Sequence, residues 1–98
     1  MIILHVAYAC KPGQAGDFVR AVKDAGIQRA VRGEDGCLQY DYHLSCEAED
    51  TAVLLERWRD AAALDRHLAQ PHMEALRRLK GDYVLDTRAE RYEADKGL

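Results

Sequence analysis

At 98 residues the chain is long enough for one small domain (expected over 1–98) and too short for two. A composition of 48% hydrophobic and 32% charged residues describes a soluble globular protein rather than a disordered one. The net charge of −3 argues against a nucleic-acid partner, whose backbone calls for a basic face. No apolar run approaches the roughly 20 residues a membrane span needs, and none has the form of a secretory h-region. Cys10, Cys37 and Cys46 are odd in number and lack C-x-x-C spacing. They are expected to be reduced thiols in a cytoplasmic protein.

Ile2 to Cys10 reads as a strand with apolar residues on both faces, stopped by Lys11-Pro12-Gly13. A helix is expected from about Gln14 to Arg32, its inward stripe Phe18, Val22, Ala25 and the stem of Arg29. Gly33 to Gly36 forms the turn out. A second strand follows from Cys37 to Ser45, with Leu38, Tyr40, Tyr42 and Leu44 on one face. Acidic Glu47 to Asp50 suits a hairpin connection to a third strand, Thr51 to Arg59.

From Glu56 to His72 the pattern changes from period two to helical. Asp60 ends the strand and offers an N-cap carboxylate, after which Leu64, His67 and Leu68 share one helix face. Pro71 breaks that helix and starts another, Pro71 to about Lys80, which Gly81-Asp82 should stop. Tyr83 to Tyr92 supplies a last strand, and residues 93–98 are expected to fray.

The order β-α-β-β-α-β is that of the α+β ferredoxin-like motif, an antiparallel sheet with helices on one face. The first and third strands are apolar on both faces, so something must cover the second. Another subunit's sheet is the expected cover, which implies a homodimer packed sheet face to sheet face.

The chain resembles the antibiotic biosynthesis monooxygenase (ABM) family, small dimeric α/β-barrel proteins. The resemblance rests on Lys11-Pro12-Gly13, Gly36-Cys-Leu-x-Tyr40, Glu56-x-Trp58 and Ala63-Leu64-x-x-His67-x-x-x-Pro71-His72, in that order from about Ile2 to Tyr92. His67 to Met73 followed by Lys80-Gly-Asp82 is similar to the quinol monooxygenases of the family. The resemblance implies oxidation of an electron-rich quinol or phenol by O2, without flavin, haem or metal.

Such chemistry needs a base, a group to hold the anion and a dry pocket, because triplet O2 reacts slowly with a singlet aromatic until deprotonation lets it give up an electron. His67 is the first choice of base; the bland alternative is a histidine satisfied by backbone and Glu56. Trp58 offers an aromatic wall or is simply the main core residue. Glu56 can orient an imidazole or pair with an arginine across the dimer. His72 lines the pocket mouth or caps its helix. Leu64, Leu68 and Tyr40 complete the expected substrate contacts, around a closed chamber into which His67 and Trp58 project. His5 shares its face with Ile3 and Ala7, which suggests burial in the pocket or the dimer interface, and His43 shares a polar face with Asp41 and Gln39.

His67 and His72 lie five apart across a helix break, poor geometry for a preformed pair, so no metal site is expected. Three alternatives stand beside the monooxygenase. Haem-degrading relatives use an Asn on the first strand, and Ile2 to Cys10 has none. A small-carbonyl isomerase should require a cationic pocket, which only Arg66, Arg77 and Arg78 could supply. A non-catalytic small-molecule-binding dimer would use the same pocket without turnover.

Overall fold

Strands β1 (Ile2–Cys10), β2 (Cys37–Leu44), β3 (Thr51–Trp58) and β4 (Val84–Glu93) form one antiparallel sheet in the order β2-β3-β1-β4. Helices α1 (Ala15–Asp24), α2 (Ile27–Arg32), α3 (Ala61–Leu68) and α4 (His72–Tyr83) complete the element order of this computed structural model, which describes residues 1–95. The arrangement is the expected α+β ferredoxin-like one. Period-two alternation sets which side chains meet the helices: Ala52, Leu54, Glu56 and Trp58 of β3 are all buried, while Val53, Leu55 and Arg57 between them are half-buried on the opposite face. From β1, Ile2, Val6, Tyr8 and Cys10 join the core; His5 lies exposed on the opposite face rather than buried within this chain. His43 is exposed there too.

The first helical region departs from the single helix that periodicity suggests. Gly26 takes φ +75°, a conformation that only glycine enters freely, and its N–H bonds to the Lys23 carbonyl at 3.0 Å. The helix ends there and restarts with a rotated face. Phe18 and Val22 point inward as expected, but Ile27, Gln28 and Val31 then take over, leaving Ala25 and Arg29 exposed. Burying Gln28 is offset by a bond from its Nε2 to the Tyr40 carbonyl at 3.1 Å, on the free edge of β2.

A bulge at the start of β2 changes its faces as well. Cys37 pairs with Trp58 and Gln39 with Arg57, so Leu38 is the extra residue and stands 51% exposed, while Cys37 turns toward the core with Tyr40 and Tyr42. At the other end of the chain, α4 runs through Gly81 and Asp82 instead of stopping at Lys80. Tyr83 holds that last turn, its ring 6.1 Å from Phe18 and its carbonyl accepting from the Lys11 N–H at 2.9 Å. Packing thereby outweighs the roughly 1 kcal/mol that glycine costs a helix. Glu93 belongs to β4, and Met1 and Ala94 exchange backbone bonds at 2.8 and 2.9 Å, so fraying does not begin at 93; residues 96–98 lie outside the described residues.

Gly36 has the tightest surroundings of the glycines among the described residues. With φ +87°, a Cβ there would sit 2.5 Å from the Ala63 Cβ, whereas a Cβ on Gly26 meets nothing within 4 Å. Gly26→Ala should therefore cost about 1 kcal/mol from its backbone alone. Gly36→Ala, which adds a clash with α3, should cost about 3 kcal/mol. Urea unfolding of both variants checks this, and equal losses would show that the turn and α3 separate without resistance.

Candidate active site

The site is assembled from the end of β3, the turn after α2 and the inner face of α3. Glu56 and Trp58 are two apart on one strand, so both face the helices, and the indole Nε1–H donates to Glu56 Oε1 at 3.0 Å. Two residues on, Asp60 caps α3 as expected, its Oδ1 accepting from the Ala63 N–H at 2.8 Å. With α3 started there, Ala63, Leu64 and His67 turn inward. Leu68 is one step further round the helix and stands 56% exposed, which removes it from the expected substrate contacts.

His67 is enclosed by aromatic rings and carboxylates. Its ring lies 4.5 Å from that of Trp58, tilted by 31°, and 5.8 Å from the edge-on ring of Tyr40. Nδ1 meets Glu34 Oε2 at 2.9 Å, and Nε2 faces Glu56 Oε1 at 3.9 Å, beyond hydrogen-bond distance. His72, first residue of α4, brings its Nε2 to the same Glu34 oxygen at 2.8 Å. One carboxylate oxygen thus joins the two imidazoles that their spacing in the sequence appeared to separate. The His67 side chain is 2% exposed, Glu34 9% and His72 23%, so the network runs from the interior to the surface. Within this chain Glu56 meets Trp58 and His67, not an arginine.

His67 and Trp58 project toward each other, yet the chamber expected between them is occupied by their own stacked rings. The open space lies on the other side of Glu34. A cleft of about 490 Å³ is lined by residues including Glu34, Asp35, Arg66, Gln70 and His72. Of the three arginines expected to supply a cationic pocket, only Arg66 lines this cleft, beside Arg29, and it meets Asp35 at 3.4 Å; Arg77 pairs with Glu74, and Arg78 lies exposed. Asp35 also receives two bonds from Arg59, at 3.1 and 3.2 Å, tying the Glu34 turn to the start of α3.

Burial pushes the Glu56 carboxyl above the ordinary glutamate value; the Trp58 N–H and His67 oppose the rise and the Glu34 charge adds to it. Burial likewise raises the Tyr40 phenol far beyond its usual range and the Tyr42 phenol to about 12. The Cys37 thiol rises through burial and through the charges of Glu34 and Glu56. Neither phenolate nor thiolate is therefore at hand near neutrality, and the remaining titratable groups of the cluster are the two imidazoles and the carboxyls of Glu34 and Glu56. Glu34 is the member of this network that sequence reasoning missed: it sits in a polar turn, 33 and 38 residues from its two partners, and no local pattern distinguishes it.

Comparison with known proteins agrees with this architecture. The family model described as antibiotic biosynthesis monooxygenase matches residues 1–79. A relative from Escherichia coli, named "Probable quinol monooxygenase YgiN", is 36% identical over 95 residues, covering 86% of this chain and 89% of its own. Among solved structures, PA3566 from Pseudomonas aeruginosa superposes with a TM-score of 0.81 at 27% identity, covering 95% of this chain and 92% of that one. Rv0793 from Mycobacterium tuberculosis gives 0.79 at 28% identity, covering 99% and 98%.

The raised Glu56 carboxyl has a signed consequence for stability. The native state binds its proton more tightly than the unfolded chain does, so this contribution is fully present below the ordinary value of 4.5 and is lost as pH rises through the raised one. Glu56→Gln removes the dependence while keeping an acceptor for Trp58. Denaturant titrations from pH 4 upward should show the variant gaining on the native sequence; parallel curves would mean that Glu56 titrates alike in both states.

Proposed function

The chain belongs to the antibiotic biosynthesis monooxygenase family, and from that membership we propose that it oxidises an electron-rich quinol or phenol with O2, without flavin, haem or metal. The reading extends to one domain over the whole chain, acting as a homodimer in a reducing, cytoplasmic setting, where three cysteines outside any disulfide are at home. The observation that carries it is the shared Glu34 oxygen. A carboxylate accepting from Nδ1–H of His67 leaves the lone pair on Nε2, the tautomer a general base needs. The relative's name, a quinol monooxygenase, supports the substrate class.

In this reading Nε2 of His67 takes the hydroxyl proton of a quinol lying against the Trp58 indole. Admission of the flat ring requires the His67–Trp58 stack to part, with Tyr40 and Leu64 as further walls and His72 at the mouth. The anion passes one electron to O2, and the radical pair recombines at a ring carbon. The quinol is its own reductant: one oxygen atom enters the ring, the other leaves in water with two hydrogens, and a hydroxyquinone results. Burial of His67, Trp58 and Tyr40 keeps water from that intermediate.

The second sheet face supports the dimer. Ile3, Ala7, Val53 and Leu55 form a half-buried apolar band across β1 and β3, with Ala7 paired to Val53. The buried Nε of Arg57 on this face finds no acceptor among the described residues, a donor that a second subunit can satisfy.

Two experiments test these readings. Oxygen uptake with reduced menadione, in buffer free of metal and flavin, should exceed the spontaneous rate, and His67→Ala should lower it about 10²–10⁴-fold. Quinol bound and protected without uptake would instead identify a binding protein. Light scattering should give about 22 kDa, twice the 11.1 kDa chain, and Leu55→Asp should halve it with the circular dichroism unchanged. A native monomer would refute the sheet-to-sheet assembly.

A further inference from the structure

Glu34, His67 and His72 offer more than a base. Their three donor atoms, Glu34 Oε2, His67 Nδ1 and His72 Nε2, lie within 4.8 Å of one another. Two imidazoles and one carboxylate are the donor set of many zinc and iron(II) centres that keep a position open for an outside ligand. We propose that these three residues bind a divalent first-row transition metal, Zn²⁺ above all. The ion would enter from the cleft and keep one position open to it.

The surroundings favour this on three counts. The contacts of 2.9 and 2.8 Å are hydrogen bonds, and a tetrahedral ion bound at about 2.0–2.2 Å holds its ligands roughly 3.4 Å apart. The two histidine–glutamate pairs therefore need to open by about half an ångström, and the two imidazole nitrogens, up to 4.8 Å apart, need to close by roughly 1.4 Å. His72, directly after the Pro71 break, is placed to move. The second count is the outer shell. Once Nδ1 of His67 is a ligand, the proton resides on Nε2, which faces Glu56 Oε1 at 3.9 Å. Glu56 is itself held by the Trp58 N–H. A carboxylate hydrogen-bonded behind a ligating histidine is the usual support of a bound metal, and Glu56 would reach that distance if the gap closed by roughly 1 Å. The third count is access: Glu34 and His72 both line the cleft of about 490 Å³, so the ion and its water have a way in. With two nitrogen donors to one oxygen, the set suits zinc, cobalt or copper and disfavours the all-oxygen ions magnesium and calcium.

The inference does not rest on the oxygenase reading and bears on it in one way. A metal at Nδ1 fixes the proton on Nε2 and removes the lone pair a base would use, so metal-loaded protein should oxidise no quinol.

Binding is tested on the full chain after chelator treatment, by Zn²⁺ competition with a chromophoric chelator and by the visible d–d absorption of Co²⁺. One equivalent per chain is expected, with Co²⁺ bands of a low-coordinate nitrogen–oxygen site and no competition from Mg²⁺. His72→Ala and Glu34→Gln should each abolish the stoichiometric phase, and Glu56→Gln should weaken it roughly 10-fold. His43→Ala, which alters an exposed histidine elsewhere, should leave it intact. His72 is partly exposed, so its variant should fold, and circular dichroism without metal verifies this. Absence of a bound equivalent, or full affinity in a folded His72→Ala, would overturn the proposal. Both readouts are equilibrium binding, so a failed oxygen-uptake assay leaves them unaffected.

Discussion

A single carboxylate oxygen governs how the functional end of this molecule is put together. Glu34 Oε2 meets imidazole nitrogens from two helices, at 2.9 and 2.8 Å, in a position almost closed to solvent. A buried carboxylate left without donors is expensive, and one with two well-placed donors is tolerable. The turn after α2 and the helices α3 and α4 are therefore tied together through these two bonds, because losing both donors would strand the charge. The ring plane of His67, and with it the contact on Trp58, follows from that anchoring.

Around this anchor the fold applies restraint from each side. The Asp60 cap starts α3 where Leu64 and His67 turn inward, and the Asp35–Arg59 pair ties the Glu34 turn to that same helix start. Gly36 lets the chain turn sharply beneath Ala63, where a side chain would collide. Trp58 is fixed by its own bond to Glu56 and by the bulge that brings Cys37 opposite it. Each restraint is modest by itself. Together they set the resting orientation of the His67 imidazole, with a carboxylate on either side.

That orientation separates two kinds of chemistry at one residue. The Nδ1 side belongs to Glu34, His72 and the cleft, where polar ligands and ions can arrive. The Nε2 side belongs to Trp58, Tyr40 and Glu56, a dry and aromatic interior with phenols and carboxyl held toward their neutral forms by burial. A proton or a metal on one nitrogen decides what the other can do, because an imidazole has only two places for either.

Local chemistry alone made much of this legible. Period-two alternation, the stop at Lys11-Pro12-Gly13, the Asp60 cap and the break at Pro71 each act within a few residues, so the element order and the inward placement of Trp58, Glu56, Leu64 and His67 could be read directly. The Leu38 bulge, the helical passage through Gly81 and the exposure of Leu68 depended on what the segments packed against, which no local pattern encodes. The union of His67 with His72 had to await the fold altogether. Its agent, Glu34, lies more than thirty positions away from both in an ordinary polar turn, and only burial of the three together makes their meeting obligatory.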